Sequence, residues 1–558
     1  MKDYVIGIDY GTNSCRAVLM EIGSTAELAT SVYNYPSGDA GILTDAKDPH
    51  VARQHPQDYV DGLVTNIKNV LADAANNIDG FDSSSVKALG FATTGSTIIP
   101  VDKNNRPLAF HDNFSDNLNA MSWLWKDHTS IAEANLITET ASKIRPEYLD
   151  RCGGTYSSEW FWAKVLHLKN IDPVTFEAAF SYVELCDFLP ALLADVNDPV
   201  EVKRGVCAAG HKAMYCDNWG GLPDKEFLSE LDPALADLRD RLFEKAYASD
   251  EVAGKVSSKW AAETGLAEGT ILAVGAFDAH LGAVGAGIGE GTLVKIMGTS
   301  TCDLMISSQD AVVKGVCGTV QDSVIPGYTG IEAGQSAVGD LFLWLVNNLV
   351  PDTYGKDLNE KFVNLTSEAD KLRPGQSGLL ALDWNNGNRS VLVDMNLSGL
   401  LIGQTLHTKA HEVYRALLEA TAFGALKIIN RLEESGTEVN EVVCCGGLAN
   451  KNNLMMQIYA DVTGRPIKIA PTEQTCAVGA AISAASAYIP ESMLSCKEDM
   501  TVAPQKVFIP SENAHEVYKH LFRLYDSLHD SFGVKESAID LFHVMKELNA
   551  LRKEVCYA

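Results

Sequence analysis

Residues 4–21 read YVIGIDYGTNSCRAVLME. Two short apolar runs, 5–8 and 17–20, are separated by a stretch of Gly, Thr, Asn and Ser, and Asp9 stands where the first run ends. Apolar runs joined by a Gly-containing turn are typical of a β-hairpin, and the N–H groups and hydroxyls of such a turn bind anions well. The stretch therefore predicts a phosphate-binding hairpin with Asp9 as a ligand for Mg²⁺, although a simple turn cap is the alternative for this residue.

The same pattern returns near the middle of the chain. Residues 292–306 read TLVKIMGTSTCDLMI, and GTSTC at 298–302 superimposes on GTNSC at 11–15. One such hairpin near the start of each half indicates a duplicated domain with a cleft between the copies. Two turns that face each other across this cleft would hold the β- and γ-phosphates of a nucleotide, which favours the metal role of Asp9.

Length and segment pattern predict a two-domain α/β protein. A chain of 558 residues is too long for one hydrophobic core. Strand-like and helix-like segments alternate along it, with long helices expected from Pro56 and from His411. We place the domains at 1–287 and 288–558, which divides them within the glycine-dense run 282–293.

Composition argues against nucleic acid and anionic membranes as partners. The chain has 45 Lys and Arg against 73 Asp and Glu, a net charge of −28, which repels polyanions. No segment reaches the roughly 18 apolar residues of a membrane span. The twelve cysteines include no C-x-x-C pair, so we expect reduced thiols and a cytoplasmic protein. The P-loop and dinucleotide glycine motifs do not occur.

A third glycine element follows a predicted strand in EVVCCGGLANKNN, residues 441–453. The strand runs into Gly446 and Gly447, and Asn450 follows where a helix N-cap belongs. Paired glycines at this junction would let a flat ring approach the backbone. Taken alone, the stretch favours an ordinary strand–turn–helix.

Asp278 lies in GAFDAHLGAVGAG, residues 275–287, between an apolar strand and a stretch of small residues. It precedes the second hairpin, so its carboxylate would face the cleft beside the phosphates. A base that takes a proton from an attacking alcohol belongs at that place. Capping of the following helix is the alternative, and His280 is expected to pack rather than to catalyse.

These motifs together resemble the FGGY carbohydrate kinases. The resemblance rests on Asp-x-Gly-Thr-x-Ser followed by Arg16, on the later Gly-Thr-Ser, and on the Gly-Gly…Asn…Gln…Ala-Asp helix. It implies two duplicated ribonuclease-H-like domains, of the actin-like ATPase type, on either side of a cleft for ATP and sugar. Longer strings such as GGTYSSEWFWAK, GAFDAHLGAVGAG and PGYTGIEAGQSAVGD narrow it to the members that act on L-ribulose.

The resemblance also implies roles for individual residues. It assigns the phosphates to Gly11, Thr12, Asn13, Ser14, Arg16, Gly298, Thr299 and Ser300, the adenosine to Gly446, Gly447 and Asn450, the metal to Asp9, and the catalytic base to Asp278. It assigns the sugar to Ser96, Thr97, Lys212, Asp278 and Glu332. Lys126 and Asp127 are expected to line the same cleft, with a salt-bridged lid as the alternative.

The implied reaction is the transfer of phosphate from ATP, with Mg²⁺, to L-ribulose, giving L-ribulose 5-phosphate in L-arabinose catabolism. A kinase of another ketopentose, D-ribulose or xylulose, is the alternative. Glycerol kinases typically carry Arg-Glu where this chain has GST, which argues against glycerol. A chaperone-like ATPase or a sugar-sensing regulator would need an appended domain that we do not expect here. The expected partner is thus a small ketopentose, and a homodimer fits the sequence, which does not fix the oligomeric state.

Overall fold

The computed structural model describes residues 2–504, 506–535, 537–541 and 543–557, with side chains as far as residue 555. The strands of the N-terminal half are β1 (Tyr4–Tyr10), β2 (Ser14–Glu21), β3 (Glu27–Asn34), β4 (Leu43–Asp45), β5 (Asp48–Gln54), β6 (Val86–Thr93), β7 (Ile98–Val101), β8 (Ser122–Trp123), β9 (Ser181–Glu184), β10 (Arg204–Gly205), β11 (Ala246–Tyr247), β12 (Val252–Lys255), β13 (Ile271–Ala273) and β14 (Ala276–Phe277). Its helices are α1 (Pro56–Asn77), α2 (Ile131–Ile144), α3 (Glu147–Asp150), α4 (Phe161–Ile171), α5 (Pro173–Ala178), α6 (Leu185–Leu193), α7 (Val206–Ala213), α8 (Lys225–Leu231), α9 (Pro233–Arg239), α10 (Ser258–Thr264) and α11 (Asp278–Gly285).

The C-terminal half continues the α/β pattern. Its strands are β15 (Thr292–Met297), β16 (Thr301–Ser307), β17 (Gly318–Gln321), β18 (Thr329–Ala333), β19 (Leu380–Leu382), β20 (Leu400–Ile402), β21 (Glu441–Cys445), β22 (Ile467–Ile469) and β23 (Lys506–Phe508). Its helices are α12 (Gly339–Leu349), α13 (Leu358–Asp370), α14 (Ala410–Glu434), α15 (Gly447–Lys451), α16 (Asn453–Thr463), α17 (Thr475–Tyr488), α18 (Met493–Met500), α19 (Glu512–Gly533) and α20 (Val544–Tyr557).

Each half builds one seven-stranded mixed sheet, and the two sheets share a topology. The first has the order β3-β2-β1-β6-β13-β12, with β14 also on β6, and the second has β18-β16-β15-β21-β22-β23, with β17 beyond β18. Along both sequences of six strands the neighbours run antiparallel, antiparallel, parallel, parallel and antiparallel. The duplication predicted from the two Gly-Thr hairpins is therefore confirmed.

The two hairpins are alike but not identical. In the first, the Gly11 N–H donates to the carbonyl of Ser14 (2.9 Å), and in the second the Gly298 N–H donates to the carbonyl of Ser300 (2.9 Å). The second turn is therefore one residue shorter, so the side chains that follow it alternate differently from those of the first.

The two predicted long helices begin at or beside their predicted residues. Helix α1 starts at Pro56, whose fixed φ suits the first helical position, and α14 starts at Ala410, one residue before the predicted His411. The apolar run at 270–277 is not one continuous strand, because β13 and β14 are interrupted at Gly275. A Cβ at Gly275 would stand 2.2 Å from the carbonyl oxygen of Cys186, so the chain bends there under close backbone contact.

Helices α11 and α17 join the two halves through direct contact of their backbones. A Cβ added at Gly479 would stand 1.7 Å from the carbonyl oxygen of Leu281, and one at Gly285 would stand 2.0 Å from that of Thr475. Real side chains never approach so closely, so these two positions admit only glycine without movement of a helix.

Helix α17 also packs on the sheet of the other half. At Gly7 of β1 and Gly90 of β6, an added Cβ would stand 1.9 Å from the carbonyl oxygens of Ala477 and Ala480. The hydrophobic core around α17 accordingly mixes residues of both halves, such as Val5, Val294 and Ala481. The residues that form this junction come from before and after residue 287, where we predict the domain boundary. The boundary itself stays a prediction.

The cysteines with described side chains are free thiols, mostly buried, and Cys556 lies outside that set. Over the described residues, the apolar stretch of each helix is too short for a membrane crossing.

Replacement of Gly479 by Ala should destabilise the protein by about 1–3 kcal/mol, because the new methyl group would force α17 away from α11. Thermal and urea unfolding of the purified variant measure this. Gly289→Ala is the matched control, since a Cβ at Gly289 meets nothing within 4 Å and should change stability by less than about 0.5 kcal/mol. Equal stability of the two variants would show that the helices separate freely.

Candidate active site

A cavity of about 250 Å³ lies between the two halves. It brings together six of the predicted site residues, which are Lys212 and Asp278 from the N-terminal half and Gly298, Thr299, Ser300 and Glu332 from the C-terminal half. Lys212 and Glu332, which are 120 positions apart in the sequence, thus lie in the same cavity.

Lys212 and Glu332 form an ion pair across the cavity. Lys212, in the last turn of α7, places its Nζ 3.2 Å from Glu332 Oε2 and 3.4 Å from Oε1, and both side chains are buried. The aromatic rings of Trp160 and Phe277 lie 5.3 and 5.6 Å from the same Nζ. Burial alone would lower the pKa of Lys212, but the Glu332 carboxylate raises it above its ordinary value. Burial alone would raise the pKa of Glu332, but Lys212 and other neighbouring groups hold it well below the ordinary range, so both groups stay charged.

Asp278 is the first residue of α11 and borders the cavity. Its Oδ1 accepts a hydrogen bond from the N–H of Ala279, in the first turn of the helix, at 2.6 Å, and the N-cap residue Phe277 provides no side-chain cap. Burial, and after it the negative charge of Asp9, raise the pKa of Asp278 to about 7. A carboxylate with a pKa close to neutrality can accept a proton during a reaction. The raised pKa favours a base, the hydrogen bond to the Ala279 N–H fits the capping alternative, and the role of Asp278 stays a prediction.

Asp9 ends the buried strand β1 and carries an unsatisfied oxygen. Its Oδ2 lies 3.5 Å from Arg16 Nε, whereas Oδ1 is buried and finds no hydrogen-bond partner among the described residues. Burial raises the pKa of Asp9 to about 6, and the charge of Arg16 opposes this. A buried carboxylate oxygen without a donor fits a hard divalent cation such as Mg²⁺.

Three hydrogen bonds connect the first hairpin to neighbouring parts of the chain. Gln54 Nε2 donates to the Thr12 carbonyl (2.7 Å), Trp125 Nε1 donates to Thr12 Oγ1 (3.1 Å), and Asn13 Nδ2 donates to the Ala40 carbonyl (2.7 Å). These contacts occupy side chains and carbonyls of the turn, and the Gly11 N–H is bound to the Ser14 carbonyl, which leaves the N–H groups of Thr12 and Asn13 for an anion. They give Asn13 a positioning role.

The second hairpin rests on the start of α12. The N–H of Val338 donates to the Thr299 carbonyl (2.8 Å), and the N–H of Gly339 donates to the Gly298 carbonyl (3.1 Å). A Cβ at Gly339 would stand 2.6 Å from that Gly298 oxygen, so the helix approaches as far as backbones allow. The carbonyls of this turn are thereby bound from behind, while Ser300 and its neighbours border the cavity.

Ser96 and Thr97 do not border the cavity, contrary to the expectation for the TTGST stretch. Ser96 Oγ and the Thr97 N–H donate to the two oxygens of Glu184 at 3.1 and 2.8 Å. Both residues are buried behind the wall, and Thr94 and Gly95 present the surface of this turn to the cavity instead. A role of this turn in sugar binding stays a prediction, and Thr94 and Gly95 replace Ser96 and Thr97 as the residues that border the cavity.

Lys126 and Asp127 are also not brought into the cavity. Asp127 is fully buried, forms an ion pair with Arg53, and accepts hydrogen bonds from the Ala52 N–H (2.8 Å) and Thr129 Oγ1 (2.6 Å). Its carboxylate has no capacity left for a sugar hydroxyl. Lys126 is half-buried and lies outside the cavity lining, in which its neighbour Trp125 takes part. The salt-bridged alternative thus describes Asp127.

The glycine pair lies beside the second hairpin. Gly446 has φ +97° and stands against the end of β15, where a Cβ would be 2.4 Å from the Met297 carbonyl oxygen. A Cβ at Gly447 would meet nothing within 4 Å, so the space above it is open. Asn450 borders a different cavity of about 320 Å³, together with Lys506. The three residues predicted for adenosine are therefore near one another in the chain but do not line one cavity.

Sequence reasoning missed an ion pair that crosses the cleft. Arg389 Nη2 lies 3.3 Å from Glu159 Oε2, and both residues border the cavity. Burial would lower the pKa of Arg389, but Glu159 raises it, so the guanidinium stays charged. The two residues are 230 positions apart. Glu159 lies in the quoted stretch GGTYSSEWFWAK, but no local pattern marks it as a partner of Arg389.

Comparison with known proteins agrees with the fold. The chain matches the FGGY family of carbohydrate kinases with its N-terminal domain over residues 4–285 and with its C-terminal domain over residues 293–488. It is 41% identical to a ribulokinase of Shouchella clausii, with 99% of each chain covered. It is 42% identical to a ribulokinase of Geobacillus thermodenitrificans, with 96% of each chain covered.

Solved structures with the same fold are more distant in sequence. A xylulose kinase from Rhodospirillum rubrum superimposes with a TM-score of 0.78 at 20% identity, covering 95% of this chain and 98% of that one. Plasmodium falciparum glycerol kinase, solved with ADP, gives 0.75 at 17% identity, covering 96% and 99%. Both halves, their shared topology and the family matches lead to one conclusion: the chain is a member of the FGGY family of carbohydrate kinases.

Proposed function

We propose that this kinase transfers the γ-phosphoryl group of ATP to the terminal hydroxyl of L-ribulose, giving L-ribulose 5-phosphate. The observation that carries the proposal is the convergence of Lys212, Glu332 and Asp278 beside the second phosphate hairpin. The relatives named ribulokinase, similar over nearly their whole length, favour L-ribulose as the acceptor. A kinase of D-ribulose or xylulose is the second candidate, because charged groups that bind hydroxyls do not select a unique ketopentose.

The sugar is held by charged groups that come from the two halves of the chain. The ammonium of Lys212 and the carboxylate of Glu332 are a donor and an acceptor in fixed positions, 3.2 Å apart. Hydrogen bonds to ionised groups are about twice as strong as those between neutral groups, and each fixes the direction of a hydroxyl. We assign Thr94 and Gly95, rather than Ser96 and Thr97, to the wall that contacts the sugar.

Asp278 accepts the proton of the attacking hydroxyl. Its carboxylate borders the same cavity as Lys212 and Gly298, so an acceptor bound by Lys212 would share this cavity with the base and the second hairpin. Most of the catalysis then comes from positioning and from stabilisation of charge, since phosphoryl transfer needs little covalent help from the protein.

The two hairpins bind the phosphates through their backbone N–H groups, with Thr12, Ser14, Thr299 and Ser300 adding hydroxyls. Asp9 is the residue that would hold Mg²⁺, and Arg16 beside it would contact a phosphate. When bound, the ion supplies positive charge to the phosphate oxygens. Gly446 and Gly447 provide the flat approach for the adenosine, and we keep Asn450 as a lesser candidate because it borders another cavity.

The same proposal covers location and domain division. Free thiols and the use of ATP are typical of the cytoplasm, where we place the enzyme. We place the division between a sugar-binding half, 1–287, and a nucleotide-binding half, 288–558, since the two sheets belong to these halves. Closure of the halves around the substrate would exclude water from the transfer.

An assay of ADP release with Mg²⁺ and ATP tests the substrate directly. We expect high turnover with L-ribulose, lower turnover with D-ribulose and with L- and D-xylulose, and little with glycerol or without sugar. Sugar-independent hydrolysis alone would contradict the proposal. Preference for a different ketopentose would leave the reaction in place and replace only the acceptor.

Replacement of Asp278 by Asn should remove nearly all turnover while ATP still binds, because the amide cannot accept the proton. For the unchanged enzyme, kcat/KM should rise with pH through about 7, where the carboxyl group loses its proton, and should fall about tenfold per unit below that. Steady-state rates between pH 5 and 9 measure this. Asp116→Asn, at an exposed aspartate, is the control and should retain the full profile. A normal rate in Asp278→Asn would show that Asp278 is not the base.

Lys212→Met and Glu332→Gln should each raise the KM for the ketopentose at least about tenfold and leave the KM for ATP little changed.

Each of these single changes also leaves one buried charge without its partner, which typically destabilises a protein by about 3–5 kcal/mol. The double variant should therefore be more stable than the sum of the two single effects implies. Additive losses of stability in a double-mutant cycle would show that the pair does not interact.

A further inference from the structure

Two histidines lie close to the Glu332 carboxylate, and the proposed reaction uses neither of them. His211 on α7 and His280 on α11 are both buried, and their ring centroids are 4.6 Å apart. His211 Nδ1 lies 3.5 Å from Glu332 Oε2, and His280 Nε2 lies 3.9 Å from the same oxygen. One ligand atom of each of the three residues lies within 4.8 Å of the other two.

The tautomer of His211 follows from its other contact. The hydroxyl of Ser323 donates to the Val320 carbonyl (3.0 Å), so its oxygen must accept from His211 Nε2 at 3.1 Å. With the proton on Nε2, the lone pair of Nδ1 faces the carboxylate of Glu332. A lone pair turned to an anion is unfavourable unless a cation lies between them.

His280 has the same deficiency to a greater degree. Neither of its ring nitrogens finds a hydrogen-bond partner among the described residues, although the ring is buried. Since neither nitrogen is engaged, the neutral ring keeps one free lone pair. Two imidazole lone pairs and one carboxylate oxygen thus converge on one point at the edge of the cavity.

We propose that His211, His280 and Glu332 form a binding site for a divalent transition-metal ion, with Zn²⁺ as the best-suited ion. In a tetrahedral zinc site with bonds of about 2.1 Å, the ligand atoms are roughly 3.4 Å apart, close to the 3.5 and 3.9 Å found here. Imidazole prefers zinc, cobalt or nickel to magnesium. The fourth position opens to the cavity, since His280 and Glu332 both border it.

The ammonium of Lys212 opposes this ion. Lys212 Nζ lies 3.2 Å from Glu332 Oε2 and 3.4 Å from Oε1, so an ion bound at Oε2 would displace the ammonium toward Oε1. The nearby carboxylate of Asp278 and the net charge of −28 favour a cation, so the two effects oppose each other. One consequence rests on the proposed function: the metal competes with the ketopentose for Glu332 and thereby inhibits the kinase.

Binding is tested on the full-length protein with Co²⁺ as the probe, in excess Mg²⁺ so that oxygen-only sites are occupied. We expect visible absorption bands of imidazole-bound, four-coordinate Co²⁺ that saturate at one equivalent and are displaced by Zn²⁺. This measurement needs no kinase activity, so it stands even if the proposed substrate is wrong. Absence of these bands, or saturation without displacement, would overturn the site.

Three variants make the test specific. His280→Gln should weaken Co²⁺ binding at least about tenfold, because a metal ligand is lost. His167→Gln is the matched control, since His167 forms a pair with Glu133 (3.1 Å) away from the cavity, and it should leave binding unchanged. Lys212→Met should instead strengthen binding several-fold, because it removes the competing charge. General damage to the fold would weaken binding in every variant, so a stronger complex in Lys212→Met cannot arise from misfolding.

The inhibition is tested separately by steady-state kinetics at buffered free Zn²⁺. Zn²⁺ should raise the KM for the ketopentose and leave the KM for ATP unchanged, and His211→Gln should reduce this sensitivity at least about tenfold. Thermal unfolding of each variant checks that it is folded. Inhibition that is equal in His211→Gln and in the unchanged enzyme would place the inhibitory ion elsewhere and overturn the proposal.

Discussion

The direct backbone contact between α11 and α17 positions the rest of the active site. At Gly479 and Gly285 the two helices are too close for any side chain, so their spacing cannot relax by a change of rotamer. Helix α11 begins at Asp278, and α17 packs on β1, the strand that ends beside Asp9. The two carboxylates belong to one half of the chain, but a helix of the other half holds both in place. A shift of α17 would therefore alter the proposed base and the proposed metal ligand together.

Electrostatics across the cleft constrain the site in a second way. The Lys212–Glu332 and Glu159–Arg389 pairs each connect the two halves, and both lie at the cavity wall. Buried charges are unfavourable when unpaired, so separation of the halves must supply each group with water or with a substrate hydroxyl. A polyol can do this because every carbon carries a donor and an acceptor. The pairs thus link the bound sugar to the closed arrangement of the halves.

The features that could be predicted from the sequence depend on neighbouring residues. The Gly-Thr hairpins and the start of α1 at Pro56 follow from local backbone preferences, and the repeat of the hairpin gave the duplicated fold. The orientation of TTGST was not predictable, because Glu184, a strand away in space and 88 positions away in sequence, draws Ser96 and Thr97 inward. Asp127 was assigned to the sugar for the same reason: nothing near it in the sequence indicates that Arg53 pairs with its carboxylate.

An acidic cleft is at first sight a poor place for a nucleotide. Asp9, Asp278 and Glu332 border or approach the same cavity, and the raised pKa values of Asp9 and Asp278 show that their charges lack full compensation. Lys212 already serves Glu332, and Arg16 lies 3.5 Å from Asp9 without a hydrogen bond to it. The phosphates can therefore enter favourably only when a cation accompanies them, because otherwise like charges would repel. With Asp9 as the proposed metal ligand, its unpaired oxygen would make the cation part of nucleotide recognition, so binding of the nucleotide and of the metal should depend on each other.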